Sequence, residues 1–210
     1  MILDKKSVGK AVQLVLAEKG KRKFVQSIDL AINLRDVDFT KPENRISLDV
    51  VLPHPARNLK VAVFADGNVA FEAKKHVDLV IESSQIDSYA TDKGKTKVLL
   101  DHTLLATPAL MAVVGKVLGK ILAPKGKMPR PLLPNANIVQ VADLSKKSIT
   151  LKTKGKYLPS LHCIVGKENM SSEQVAENVL AVFEALLKKI AEGQLESVYL
   201  KTTMGKSVKV

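Results

Sequence analysis

The stretch LKVAVFAD, residues 59–66, constrains this chain most. It is almost unbroken apolar sequence, and it stops at Asp66-Gly67. A strand exposed on one face alternates apolar and polar residues; one that does not alternate is covered on both faces, as in a parallel sheet. The residues after it keep that rhythm. GNVAFEAKKHV reads as a helix, DLVIES as a short buried strand and residues 83–91 as a short helix. KVLLDHTLLAT reads as a strand and then a turn, and PALMAVVGKVLGKIL as a helix with Pro108 in its first turn. Strand and helix in alternation over about 59–125 predict an α/β unit on a parallel sheet. The next segment, APKGKMPRPLLPNANI, holds four of the nine prolines and predicts no regular structure.

The flanks read differently. KSVGKAVQLVLAEK, 6–19, spaces Val8, Ala11, Val12, Val15 and Leu16 as a helix, with Ser7 as its N-cap. FVQSIDLAINL, 24–34, partly alternates as a strand, with Phe24, Gln26, Ile28 and Leu30 on one face and Val25, Ser27, Asp29 and Ala31 on the other; a helix is the weaker alternative. DVDFTKPENR reads as a polar connection and ISLDVVLPHP as a strand ending at two prolines. Weak strand content at 138–142 precedes two further strands, SITLKTK and LPSLHCIVG. MSSEQVAENVLAVFEALLKKIAEG is the clearest helix. Ser171 and Gln174 form a capping box, and Met170 staples onto Val175. Val175, Val179, Val182, Leu186 and Ile190 make a core stripe, widened by Leu180, Phe183 and Leu187, and Gly193 ends it. SVYLKTTMG is the last strand. The expectation is an α+β domain built from both chain termini, residues 1–56 and 149–210. Into it is inserted a Rossmann-like α/β domain, residues 57–148. The chain would cross near His54–Leu59 and Lys146–Leu151, with His54 and Pro55 as a hinge. Two end-to-end domains are the simpler alternative at this level.

Lys and Arg number 33 against 21 Asp and Glu, a net charge of +12. That favours a polyanionic partner, nucleic acid before an acidic membrane surface, with mere solubility as the bland alternative. There is no Trp and only three Tyr, which argues against rows of stacking platforms for single strands and for contacts to backbone, sugar and shape. Cys163 is the only cysteine. It excludes an internal disulfide and a cysteine-rich metal site, and in LHCIV it reads as a buried thiol. The opening MILDKKSVGK has no leader pattern, and no stretch approaches the length of a membrane span. The expectation is a soluble, cytoplasmic protein with no membrane partner.

Phosphate-loop, dinucleotide-loop and HExxH motifs are absent. His54, His76, His102 and His162 are widely spaced. Asp66 and Asp101 fall near the ends of predicted parallel strands, where α/β enzymes place catalysis; without a partner motif they read as caps or turn formers. The expectation is no enzyme and no cofactor. Three places read as nucleic-acid contacts. KVLGKILAPKGKMPR carries Lys116, Lys120, Lys125, Lys127 and Arg130 with no acid among them, in a loop held open by Gly126 and prolines. A solvated loop is the alternative. In the terminal turn, Thr202, Thr203 and Ser207 offer hydroxyls, Met204 a flat apolar surface, Gly205 close backbone approach and Lys206 charge. An ordinary turn with Met204 in the core is the alternative. In the first strand, Lys23, Phe24, Ser27 and Asp29 combine cation, ring, hydroxyl and carboxylate. For all to bind, Phe24 must sit at the strand's edge or in a loop.

Taken together, KFVQSIDLAINL, KPENRISLDVVLPHP, GKILAPKGKMPRP, HCIVGKENMS and YLKTTMGKSVKV resemble the universal large-subunit ribosomal protein one family (the stalk protein), in its archaeal form. The resemblance covers essentially the whole chain. It implies the nested two-domain organisation, with a three-layer insert. It implies binding of large-subunit ribosomal RNA by the terminal domain, a mobile stalk at the exit site, and help in releasing deacylated tRNA. It also implies translational repression through the protein's own mRNA. The partners it implies are rRNA, tRNA, that mRNA and other ribosomal components, with a monomer when free. The family's RNA surface maps onto Phe24, Ser27, Asp29, Gly166, Lys167, Thr203, Met204 and Gly205. Bacterial members of that family often carry Thr and Glu where this chain has Ser27 and Asp29. The lysine loop implies further contact to tRNA or rRNA. A general RNA-processing or chaperone factor, and an α/β enzyme using Asp66 or Asp101, are the alternatives.

Overall fold

The structure is a computed structural model that describes residues 5–17, 19–20, 22–39, 41, 44, 46–133, 137–153 and 158–210. Parts of the predicted 36–45 and 123–138 connections, the end of SITLKTK, and Tyr157 lie outside them. In chain order the elements begin α1 (Lys5–Leu16), β1 (Ser27–Leu34), β2 (Ser47–Val51) and β3 (Lys60–Phe64). Next come α2 (Gly67–Ala73), β4 (Leu79–Ile81), α3 (Ile86–Thr91), α4 (Lys93–Asp101) and β5 (His102–Ala106). Then follow α5 (Pro108–Val117), α6 (Gly119–Leu122), β6 (Arg130–Pro131), α7 (Ile138–Lys147) and β7 (Ser148–Lys152). The series closes with β8 (Ser160–Lys167), α8 (Ser172–Leu187), β9 (Leu195–Thr202) and β10 (Val208–Lys209). The chain divides into two compact units, Met1–Arg57 with Lys147–Val210, and Asn58–Lys146.

In the first unit the sheet order is β10-β9-β1-β8, with every neighbouring pair antiparallel. β8 and β9 therefore run parallel on either side of β1, and α8 connects them. This is a split βαβ unit. Ile28, Leu30, Ile32 and Leu34 of β1 are at most 1 % exposed, and they pack under Val8, Val12 and Val15 of α1 and Val175, Val179 and Val182 of α8. The alternate residues Ser27, Asp29, Ala31 and Asn33 are only partly buried, so the other face of the sheet is less covered than the core face. α1 begins at Lys5, so Ser7 lies inside the helix and is not its cap. The capping box of α8 forms as expected, but the helix stops at Leu187 with Lys188 as C-cap, before Gly193. Leu187 is correspondingly exposed and adds nothing to the stripe. β2 and β7 pair as a separate antiparallel ribbon.

The second unit is a parallel sheet in the order β4-β3-β5-β6. Ala62, Phe64, Leu104 and Ala106 face a core with residues of α3, α4 and α5. Val61, Val63 and Leu105 face a second core with residues of α2 and α7. Helices on both faces explain why LKVAVFAD does not alternate. Three readings change here. KVLLDHTLLAT is the end of helix α4 followed by β5, because Asp92 caps the helix by accepting from the Gly94 N–H at 2.8 Å, and a short apolar run carries no period of its own. Residues 138–142 are helical although β-branched: the Asn137 side chain accepts from the Val139 N–H at 3.0 Å, and Ile138, Ala142 and Ser145 share the buried face. Arg130–Pro131 forms a two-residue strand beside β5 inside the proline-rich segment.

Candidate nucleic-acid interface

Three segments far apart in sequence meet at one end of the first unit's sheet. In β1, Ser27 stands across from Lys167 of β8, and Ile28 lies between Gly166 and Thr202. The register slips between Ile28 and Asp29, so that Gly166 pairs with Ile28 but Ile164 with Asp29, leaving Val165 as a bulge. A bulge raises local twist and re-aims the residues beyond it, here Gly166 and Lys167. On the other side, the Thr203 N–H donates to the Ser27 carbonyl at 3.0 Å, and the Ser27 N–H donates to Thr203 Oγ1 at 3.2 Å. Gly205 N–H closes the turn onto the Thr202 carbonyl at 3.1 Å. The terminal residues do not end there: Val208 and Lys209 turn back and pair with Leu200 and Tyr199.

The residue at the centre is Gln26, 2 % exposed. Its Oε1 accepts from the Met204 N–H at 3.0 Å, its Nε2 donates to Glu168 Oε2 at 3.3 Å, and its carbonyl accepts from the Glu168 N–H at 2.9 Å. One side chain thus spans all three segments. The alternation of 24–34 puts Gln26 on the core face, but only the structure shows what it holds. Glu168, 7 % exposed, is its buried partner and has no sequence signal.

Around this centre the expected contact residues fall into two groups. Lys23, Phe24, Thr203, Met204, Lys206 and Ser207 are exposed, with Phe24 at 50 % and Met204 at 59 %. Both apolar side chains stand in water, so the reading of Met204 as core does not hold, and Phe24 precedes the strand. Val25, 56 % exposed, belongs with them, although nothing in the sequence marks it. Ser27, Asp29, Lys167 and Gly205 are partly exposed and Gly166 is buried. A Cβ on Gly166 would stand 3.0 Å from Val175 Cγ2, so glycine is what lets β8 lie this close to α8. Thr202 is the exception. It is 1 % exposed and its Oγ1 is buried without a partner, so its hydroxyl does not reach the surface. Alternation along β9 puts it on the face of Leu200 and Val198. Beneath Asp29, burial pushes the Cys163 thiol up to about 12, and the Asp29 carboxylate adds to the effect.

His54 is tied down. Its N–H donates to Asn178 Oδ1 at 3.0 Å and its carbonyl accepts from Asn178 Nδ2 at 2.9 Å. Its Nε2 meets Glu177 Oε2 at 2.8 Å. Asn178, fully buried on α8, also donates to the Val165 carbonyl in the bulge at 2.8 Å. Ala56 is buried in the same core. A bend at His54 and Pro55 would have to break these contacts; the exposed residues Arg57 and Asn58 come after the last anchor.

In the second unit, Lys116, Lys120 and Lys125 are exposed, and Lys127 and Arg130 partly so. The loop is not held open. Gly126, at φ 64°, donates to the Ala123 carbonyl at 2.9 Å, and the Lys127 N–H to the Leu122 carbonyl at 3.0 Å. This pair of bonds closes α6 in a Schellman motif. Asp66 accepts from the Ser83 N–H at 2.9 Å and so joins the ends of β3 and β4. Asp101 ends α4, ahead of β5, at the opposite end of the sheet from where catalysis in such folds is placed. Among the described residues no cluster of His, Cys, Asp and Glu could hold a metal ion, and no helix is long and apolar enough to cross a membrane.

Comparison with known proteins agrees along the whole length. Over 214 residues the chain is 39 % identical to the large ribosomal subunit protein uL1 of Methanocella arvoryzae, covering 99 % of this chain and 100 % of that one. It is 40 % identical over 214 residues to the protein of the same name from Methanosarcina barkeri, with the same coverage. Against the protein of that name from Pyrococcus horikoshii it is 39 % identical over 217 residues, covering 100 % of this chain and 98 % of the other. Archaeal-type relatives dominate the matches. The model of the Ribosomal protein L1p/L10e family matches residues 15–206. The chain belongs to that family, whose members are ribosomal proteins and not enzymes.

Proposed function

We propose that this protein is a structural constituent of the large ribosomal subunit that binds large-subunit rRNA through the surface centred on Gln26. The convergence of residues 23–29, 166–168 and 203–207 on one buried side chain carries the reading. It presents exposed apolar groups, hydroxyls and lysines on a stiff support, which suits the shallow minor groove of RNA and its 2′-hydroxyls. Preorganisation matters because ordering loops on binding costs affinity. The relatives' shared name supports the ribosomal assignment. On the same reading the protein forms the mobile stalk at the exit site and assists release of deacylated tRNA. It pivots at the crossings beyond Ala56, and the lysines of 116–130 touch tRNA or further rRNA. It represses its own mRNA by offering that message the same surface, and so competes with rRNA for one site.

Phe24→Ala with Met204→Ala tests the surface without touching the core, because both side chains are exposed. The double variant keeps its unfolding midpoint and binds a large-subunit rRNA fragment at least tenfold more weakly, measured at two salt concentrations against an unrelated RNA. Equal affinity for all RNAs, tracking charge alone, leaves only a basic protein of the processing or chaperone kind.

A further inference from the structure

The terminal turn and its neighbours occupy one end of β1, and the same face of the sheet stays partly exposed over the next two rows, as far as Ala31. Neighbouring strands place Lys209, Tyr199, Ala31 and His162 side by side in one row across β10, β9, β1 and β8. The next row holds Lys201, Asp29 and Ile164. Ser27 and Lys167 come next, beside the terminal turn. None of these residues is buried, and His162 and Lys209 are exposed, whereas the opposite face carries the core. Strands lie about 4.8 Å apart, so the first row spans about 15 Å. It sets one aromatic ring beside a methyl group, with a cation-bearing chain on one flank and an imidazole on the other. Lys209 stands directly beside Tyr199 on β10 and Lys201 one row along on β9, against the single carboxylate of Asp29 in these rows.

A partly exposed ring on a sheet face, with lysines beside it and continuous with a phosphate-compatible turn, has the chemistry of a nucleobase platform. The flat face of a base stacks on the ring, and the neighbouring amines neutralise its phosphates. Ala31 leaves room for the base to lie across β1. We infer that this face, centred on Tyr199, takes one unpaired base of the RNA strand bound at the terminal turn. The inference rests on the RNA-binding reading and names what that RNA must supply: an unstacked nucleotide next to the paired region.

The chain contains no Trp, so Tyr199→Trp installs a unique reporter. Its emission is quenched on adding an rRNA fragment with an unpaired nucleotide beside the bound stem, and unchanged with the fully paired version. Tyr199→Leu weakens binding of the unpaired fragment about tenfold and leaves the paired fragment's affinity as it was, while Tyr199→Phe binds both like the unsubstituted protein. Phe24→Ala with Met204→Ala is run beside them. If that variant loses binding but Tyr199→Leu does not, and the Trp is not quenched, the platform is overturned and the terminal surface stands. If the unsubstituted protein binds neither fragment selectively, both readings fall. A Tyr199→Leu protein with a lowered unfolding midpoint is judged on the Trp signal alone: quenching supports the platform and its absence overturns it.

Discussion

Gln26 sits where a substitution removes several interactions at once. Gln26→Leu would leave the Met204 N–H and the Glu168 carboxylate without their partner in a place water reaches poorly. Unpaired buried groups cost about 1–3 kcal/mol, so urea unfolding should show a loss of that size together with weakened RNA binding. Thr202 is the opposite case. Its buried hydroxyl has no partner, so Thr202→Val, of nearly the same shape and at home in a strand, is expected to be neutral or to stabilise by up to about 1 kcal/mol. The midpoint would rise with no change in the denaturant slope. Cys163 sets a pH dependence. Its folded value, about 12, lies above the ordinary 9.0, so below that ordinary value both states hold the proton and the stabilisation is complete. Above it the unfolded chain ionises first, and stability falls by up to about 1.4 kcal/mol per pH unit until the folded thiol also titrates. Between about pH 9 and about pH 11 the wild type should therefore lose more stability than Cys163→Ala. Equal losses would show that the thiol is not the group responsible.

Among the elements, α8 does more than cover the sheet. Through Asn178 it holds both the chain at His54 and the bulge at Val165 that leads to Gly166 and Lys167. Asn178→Leu would strand three backbone groups, so a loss of about 2–4 kcal/mol is expected, with the surface proposed for RNA disturbed although every residue on it is unchanged. An unchanged unfolding midpoint would refute this. The same helix shows what a sequence reveals and what it withholds. The capping box Ser171–Gln174 and the stripe Val175, Val179, Val182 and Leu186 can be read directly, because each depends on residues a few positions apart. The role of Asn178 cannot, because its partners lie 124 and 13 positions away. α4 and α7 read as strands for a related reason. Their apolar runs suit a strand locally, and single capping side chains, Asp92 and Asn137, tip them to helix. Family motifs single out Phe24, Ser27, Met204 and their neighbours, yet Gln26 and Glu168, which bond the segments carrying them, have no motif. Thr202 goes astray because a turn's hydroxyls look alike until the strand's register is known.

At the scale of the molecule, a net charge of +12 with lysines in both units predicts that affinity for rRNA falls steeply with salt. Replacing Lys116, Lys120 and Lys125 by Gln should flatten a plot of log affinity against log salt by about one unit for each phosphate no longer neutralised. An unchanged slope would remove the 116–130 segment from the interface. The strand order has a consequence in time. β1 is made early, yet both its neighbours, β8 and β9, are made after the whole of the second unit. During synthesis the second unit, continuous in sequence, can close while β1 waits unpaired, an exposed strand with no sheet to join. The surface proposed for RNA is assembled only when the turn at Thr203 and Met204 has left the tunnel. Until then the chain can present a folded second unit with its lysines, but not the surface gathered around Gln26, so charge precedes shape as the chain is made.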